Sequence, residues 1–122
     1  MTANAVITLA DEIAPNAFSN AVKLLELNRI ENRVRLDVLL EDPDDVEQIE
    51  STELATHDMS LPESHCDVYV QYLASMYYWR MGEYELYQNE KAMFEEAWTR
   101  LCRDVCYECH QGTGGPEYVT EQ

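Results

Sequence analysis

The chain has 122 residues, a length typical of one domain with a modest hydrophobic core. Its 24 acidic and 8 basic residues give a formal net charge of −16, which argues against a protein that grips nucleic acid or an anionic membrane. No apolar run approaches the roughly 20 residues that span a bilayer, and the first residues lack the pattern of a secretory signal. We therefore expect synthesis in the cytoplasm, no membrane association and reduced cysteines.

The first third of the sequence predicts two helices. Asn4 is a candidate N-cap for a short helix through Ile13, which Pro15 then ends. Ser19 is the next candidate cap, for a helix running to Leu40 in which apolar residues recur at spacings of three and four. These apolar residues are Leu27, Ile30, Val34 and Val38. Their spacing places them on one helical face.

Two arginines lie on this second helix beside carboxylates. Arg29 and Arg33 are four residues apart, with Glu26 and Asp37 within one turn of them. The simpler interpretation is ion pairing on a solvated helix face, where each pair stabilises by a few tenths of a kcal/mol. The alternative is that the two arginines meet an acidic patch on another subunit.

Residues 41–63 form an acidic segment that Pro43 interrupts and Pro62 closes. Its carboxylates are Glu41, Asp42, Asp44, Asp45, Glu47, Glu50, Glu53 and Asp58. Its apolar residues are too sparse for a core of their own, so we predict a loop or extended arm that forms a short edge strand or docks on a partner. A helix–loop–helix calcium site is set aside, because its loop needs a central glycine and the first glycine of the chain is Gly82.

The next part of the sequence predicts an antiparallel helical hairpin. Ser64 followed by Asp67 resembles a helix start, and apolar residues then recur at helical spacing over residues 64–80. Gly82 predicts the turn, because glycine weakens helix interiors and accepts left-handed dihedral angles. A second helix is expected over residues 83–109. Its apolar face comprises Tyr87, Phe94, Trp98, Leu101 and Val105.

These elements predict an all-α fold, a helical bundle with a long antiparallel hairpin and an acidic connecting arm. Residues 1–110 are expected to form a single domain, with the arm at residues 41–63 inside it. Residues 111–122 are expected to form a flexible tail, because three of the four glycines lie there beside a proline.

A cysteine cluster ends the second hairpin helix. Cys102, Cys106 and Cys109 have the spacing by which radical enzymes hold an iron–sulfur cluster, but the chain is too short for the barrel that such chemistry needs. Together with His110 they are a candidate zinc site, which makes a small metal-binding protein the third functional hypothesis. The dense spacing lacks a second ligand pair from a separate turn, so we predict no metal and no cofactor.

The remaining candidate for chemistry is the adjacent pair His65 and Cys66. Neighbouring residues on a helix point in different directions, so this pair is not expected to form a nucleophilic site. The sequence also has no phosphate-binding glycine loop, no zinc-protease histidine pair and no serine elbow. We therefore predict that the protein is not an enzyme.

Aromatic residues around the hairpin turn form the candidate interaction surface. Tyr77, Tyr78 and Trp79 occupy most of one helical turn, so they cannot all face one interior. Tyr84 and Tyr87 follow on the other side of the turn. Aromatic side chains outside a monomer core are enriched at protein interfaces, so we predict that these five residues contact another subunit.

Two blocks between residues 14 and 101 carry a resemblance to a known family. The first comprises Ala14–Asn20, a helix with Asn28, Ile30, Glu31 and Val34, and Asp37–Leu40. The second comprises Leu61–Pro62, Asp67–Tyr69, Tyr72–Ala74, Gly82–Tyr84, Tyr87–Asn89, Met93–Phe94 and Ala97. In this pattern and order the chain resembles small head–tail connector, or head-completion, proteins of tailed phages. The acidic run at 42–50 and the cysteine cluster at 102–110 depart from the family pattern.

The resemblance implies a structural virion protein made in the host cytoplasm and located at the neck of the particle. Such proteins form a ring, often of twelve copies, against the portal protein and other neck or tail proteins, and contribute to the channel through which the genome leaves. Carboxylates lining a ring would repel phosphate, so DNA would pass without specific binding. The alternative is an acidic host-directed phage protein or DNA mimic, whose carboxylates imitate phosphates at a basic protein site.

Overall fold

The structure is a computed structural model that describes residues 1–113, with side chains described as far as residue 105. Its helices are α1 (Ala3–Ile13), α2 (Asn20–Arg33), α3 (Asp67–Met81) and α4 (Tyr84–Thr113). Within residues 1–113 there is no strand, only an isolated antiparallel bridge between Thr2 and Asp58. The predicted all-α fold is therefore confirmed.

Helix α3 lies at the centre of the bundle, where it contacts α1, α2 and α4. Its buried apolar residues are Val68, Tyr69, Val70, Leu73, Ala74 and Tyr77. They surround the helix instead of forming one stripe, as is typical of a helix buried on several sides. Helix α4 folds back along α3 and buries Phe94, Ala97 and Leu101 against the common core.

The turn between α3 and α4 lies at Gly82, as predicted. Gly82 has φ +77° and donates its N–H to the carbonyl of Trp79 at 3.1 Å, while Glu83 donates to the carbonyl of Tyr78 at 3.0 Å. A left-handed glycine with these two bonds satisfies the last carbonyl groups of the helix. Helix α4 continues through Thr113, four residues beyond its predicted end. The remainder of the predicted tail lies outside the described residues.

Two of the three predicted helix caps are wrong. Helix α1 begins at Ala3 instead, and Thr2 caps it by accepting from the backbone N–H three residues later at 3.2 Å. Ser64 lies in a preceding 3-10 turn, and α3 begins at Asp67 without a side-chain cap. Ser19 does cap α2, accepting from the N–H of Val22 at 3.4 Å. Caps are missed because several neighbouring polar residues have similar capping strength.

The second predicted helix does not run to Leu40 as one α-helix. Its last turn, Val34–Val38, widens to a π-helix in which Leu39 donates its N–H to the carbonyl of Val34 at 2.9 Å. Leu40 then adopts a left-handed conformation with φ +55° and is 77% exposed. Glycine usually occupies this position after a helix, so a leucine here stores backbone strain.

The acidic segment is a series of turns fastened to the bundle, not an edge strand or a free arm. Short 3-10 helices lie at Pro43–Asp45, Ser51–Glu53 and Glu63–His65. Ile49, Met59 and Leu61 are buried in the core of the same chain. The first amides of α1 donate to carbonyls of this segment, at 2.9 Å from Ala3 to His57. Most of its other residues, including the stretch at residues 41–48, are exposed.

Buried polar residues of α2 hold the segment in place. Asn28 donates its Nδ2 to the carbonyl of Ile49 at 3.2 Å and accepts from the N–H of Ile49 at 2.7 Å. The Glu31 side chain is 1% exposed and accepts from the N–H and Oγ of Ser60 at 3.0 and 2.9 Å. Tyr69 of α3 donates its hydroxyl to the other oxygen of Glu31 at 2.6 Å. Glu31 thus joins three parts of the chain.

Glu31→Gln should destabilise the fold by about 1–3 kcal/mol, because the side-chain amide presents a donor to a site where every partner is a donor. Urea unfolding followed by circular dichroism measures the change. Glu47→Gln, an exposed carboxylate of the acidic segment, is the matched control and should leave the unfolding midpoint unchanged. Equal effects of the two substitutions would show that Glu31 does not join these elements.

Candidate interaction site

A second buried carboxylate lies one and a half turns before Glu31 on α2. The Glu26 side chain has no exposed surface, and Oε2 accepts from Nε and Nη2 of Arg80 at 2.9 and 2.7 Å. Arg29 also donates to Oε2, at 3.3 Å, and the Tyr72 hydroxyl donates to Oε1 at 3.3 Å. The predicted solvated ion pair is therefore wrong for Glu26, because α3 covers this carboxylate and supplies a second arginine.

Tyr72 and Arg33 lie beside this cluster, and each makes a defined interaction. Burial and the adjacent Glu26 carboxylate raise the pKa of Tyr72 to about 12, so its hydroxyl stays protonated and donates. Arg33, which was also predicted to ion-pair, lies with its guanidinium carbon 4.2 Å from the centre of the Trp98 ring. This cation–π contact attaches the end of α2 to α4.

Three aromatic side chains cluster at the hairpin turn, and we call Trp79, Tyr84 and Tyr87 the aromatic tip. The Trp79 ring centre lies 5.1 Å from that of Tyr84 and 5.2 Å from that of Tyr87. Trp79 is 50% exposed and Tyr84 is 55% exposed. The structure therefore brings three of the five predicted interface residues together on the surface.

The other two predicted interface residues pack against other parts of the same chain. Tyr77 has no exposed surface and its ring centre lies 5.7 Å from that of Phe18, so its side chain is not available to another subunit. Tyr78 is partly buried and donates its hydroxyl to the carbonyl of Ile13 at 2.8 Å. Spacing along the sequence shows which residues share a helical face, but it does not show which faces other helices will cover.

A groove of about 500 Å³ lies beside the aromatic tip, and we call it the aromatic–arginine groove. Its apolar walls are Phe18, Met76, Trp79 and Tyr84. Its polar lining is Glu26, Arg29 and Arg80. Because two guanidinium groups share the one carboxylate, the lining carries one excess positive charge in a chain of net charge −16. Aromatic and arginine side chains are the residues most enriched at protein interfaces.

A second exposed apolar patch lies at the far end of α2. Leu36, Leu39 and Leu40, which we call the leucine knob, are 36%, 37% and 77% exposed. Exposed carboxylates Asp37 and Asp42 lie between and after them. The sequence signal for this patch is the apolar run directly before the acidic segment, which helical spacing assigns to the end of a helix.

The Cys66 thiol is buried and poorly suited to nucleophilic chemistry. Its residue is 1% exposed, and Sγ donates to the carbonyls of Leu61 and Pro62 at 3.6 and 3.5 Å. Burial raises the pKa of the thiol, which disfavours the reactive thiolate. The imidazole of the adjacent His65 lies 3.3 Å from a carboxylate oxygen of Asp104.

The described part of the chain contains neither a metal-binding cluster nor a membrane-spanning helix. Among side chains up to residue 105, no group of three or more histidine, cysteine or acidic residues is arranged to hold a metal. Cys106, Cys109 and His110 have side chains outside the described part, so the predicted absence of zinc at the cysteine cluster remains a prediction. Of the helices between residues 1 and 113, none has the length and apolar content needed to cross a membrane.

Arg80→Met should destabilise the fold by about 3 kcal/mol, because it removes two hydrogen bonds from the fully buried Glu26 carboxylate. Denaturant unfolding measures the loss. Arg103→Met is the control, since its exposed guanidinium lies no nearer than 3.6 Å to Asp104. In the double variant with Glu26→Gln, most of the loss should be recovered, and full additivity would contradict the pairing.

Glu90 of α4 provides a pH-dependent test. Its Oε2 is buried without a hydrogen-bond partner among the described residues, and burial raises its pKa. The folded state then binds this proton more tightly than the unfolded state, so its contribution to stability falls as pH rises above about 4.3. Glu90→Gln should raise the melting temperature at neutral pH and lose this advantage in acid. The exposed Glu95→Gln should show neither effect.

Comparisons with known proteins were made with both the sequence and the structure. No protein-family model, no curated protein and no solved structure matches this chain.

Proposed function

We propose that the chain is a head–tail connector or adaptor of a tailed-phage particle, a structural protein that forms a homo-oligomeric ring at the portal. The observation that carries the proposal is the half-exposed aromatic tip beside the aromatic–arginine groove, a surface suited to contact with protein. The assignment to this particular family comes from the two sequence blocks between residues 14 and 101. The ring is expected to contain twelve copies and to contact the portal and other neck proteins.

The composition of the surface supports a role in assembly. Trp79 and Tyr84 keep about half of their surface in contact with water, although apolar burial is the main driving force for folding. Aromatic residues at the centre of an interface typically supply most of its binding free energy. An exposed, mutually packed aromatic pair next to arginines therefore fits a protein contact better than an unoccupied surface.

The distribution of charge supports passage of DNA without binding. Three basic side chains are engaged with carboxylates outside the groove, namely Lys23, Arg35 and Arg100. The largely exposed stretch at residues 41–48 carries only acidic charges. If this stretch faces the channel, it repels phosphate and keeps the genome mobile, since nucleic-acid affinity requires lysine and arginine contacts to phosphates.

The alternative function is a host-directed acidic protein that mimics DNA. It is favoured by the same stretch, because a short 3-10 turn, in which Asp42 accepts from the N–H of Asp44 at 3.0 Å, positions Asp42, Asp44 and Asp45. Fixed carboxylates can occupy a basic protein site without the cost of ordering a disordered tail. A small metal-binding protein is the third possibility and depends on the cysteine cluster.

Purified particles of the encoding phage decide between these functions. Mass spectrometry should find the chain at a copy number close to that of the portal protein, and cryo-electron microscopy should place it as a ring at the neck. The portal protein in the same sample is the internal control for copy number. Absence of the chain from particles would favour the mimic, and a location outside the neck would contradict the connector assignment.

A further inference from the structure

We propose that the leucine knob of one copy inserts into the aromatic–arginine groove of a second copy, and that this contact links successive subunits of the ring. The inference deepens the proposed function, since it rests on a homo-oligomeric role for the chain. It assigns a specific occupant to the groove and a specific role to the strained end of α2.

The knob has the properties of an inserting element. Leu40 is the most exposed large apolar residue of the described chain, and its backbone is left-handed. Strain of this kind persists where the surrounding structure enforces it, and it is concentrated at functional positions. Arg35 fixes the backbone after the knob by donating to the carboxylate of Glu41 at 2.7 and 2.9 Å. The knob is therefore presented to solvent in a defined conformation.

Knob and groove are complementary in two respects. The leucines of the knob are apolar, as are the walls formed by Phe18, Met76 and Trp79. The knob is flanked by exposed carboxylates, whereas the groove carries excess positive charge from Arg29 and Arg80. In so acidic a chain, a second copy approaching with any other exposed acidic face meets mainly repulsion.

The geometry of α2 makes this contact intermolecular. Arg29 and Val38, the last residue of the π-helical turn before Leu39 and Leu40, are nine residues apart on one continuous helical stretch, which corresponds to roughly 13 Å along the axis. A rigid helix does not fold back, so the knob cannot occupy the groove of its own chain. Two different patches that bind each other between copies form a heterologous contact, which generates a closed ring when the rotation allows it.

Sedimentation velocity of the full chain at low ionic strength tests the contact. The wild-type chain should associate beyond a dimer in a concentration-dependent manner up to millimolar concentration. Leu40→Gly should weaken association at least tenfold while preserving or raising the melting temperature, because glycine removes the knob side chain and relieves the left-handed strain. Leu9→Ala, at an exposed leucine of α1, is the control and should leave association unchanged.

Mixing two defective variants tests the direction of the contact. Trp79→Ala has an intact knob and a damaged groove, and Leu40→Gly has the reverse. Each alone should remain monomeric, whereas the mixture should form a heterodimer and nothing larger, because only one knob–groove contact can form. Arg29→Gln should weaken wild-type association and reduce its dependence on salt.

Several outcomes would overturn the contact. The wild-type chain could stay monomeric at millimolar concentration. Leu40→Gly could leave association unaffected. The mixture of Trp79→Ala and Leu40→Gly could stay monomeric. Wild-type association that stops at a dimer would indicate a symmetric interface instead. If the groove binds a different protein and not a second copy, that protein is the occupant. These results are independent of particle composition, so the connector function and the knob–groove contact can fail separately.

Discussion

The fold depends on two carboxylates buried along one side of α2. An isolated buried carboxylate is strongly unfavourable, so each must be surrounded by donors that other parts of the chain supply. Glu26 takes its donors from α2 and α3, and Glu31 takes its donors from α3 and the acidic segment. Apolar packing alone would tolerate sliding of α2 along α3, whereas these bonds allow one register. The aromatic–arginine groove exists because Arg80 is held at Glu26 in that register.

Acidic residues therefore have two distinct roles in this chain. Inside the bundle, Glu26 and Glu31 act as acceptors that position helices and turns. Outside it, the carboxylates around residues 41–48 are largely exposed to water and make the electrostatic potential of this surface negative. Removing an inner carboxylate removes contacts that position the helices, whereas removing an exposed one such as Glu47 changes mainly the electrostatic field around the protein.

The helices could be predicted from the sequence because their signals are local. Apolar spacing indicated the helices, and Gly82 identified the turn because its left-handed conformation is a property of glycine itself. The burial of Glu26 could not be predicted, since its partner Arg80 lies 54 residues away in the sequence. Tyr77 was misplaced for a related reason, because helical periodicity does not show that α3 is covered on several sides. The π-helical end of α2 and the strained Leu40 had no sequence signal beyond an apolar run.

The attachment of the acidic segment has a consequence for the dynamics of the molecule. The α3–α4 hairpin is local in sequence and packed over its length, whereas the segment is held by Asn28, Glu31, the first amides of α1 and three buried apolar side chains. Proteins open in cooperative units whose free energies follow the extent of such contacts. Amide protons of Ile49 and Ser60 should therefore exchange with solvent through a partial opening that leaves α3 protected. The segment can detach and re-form while the helical scaffold stays folded.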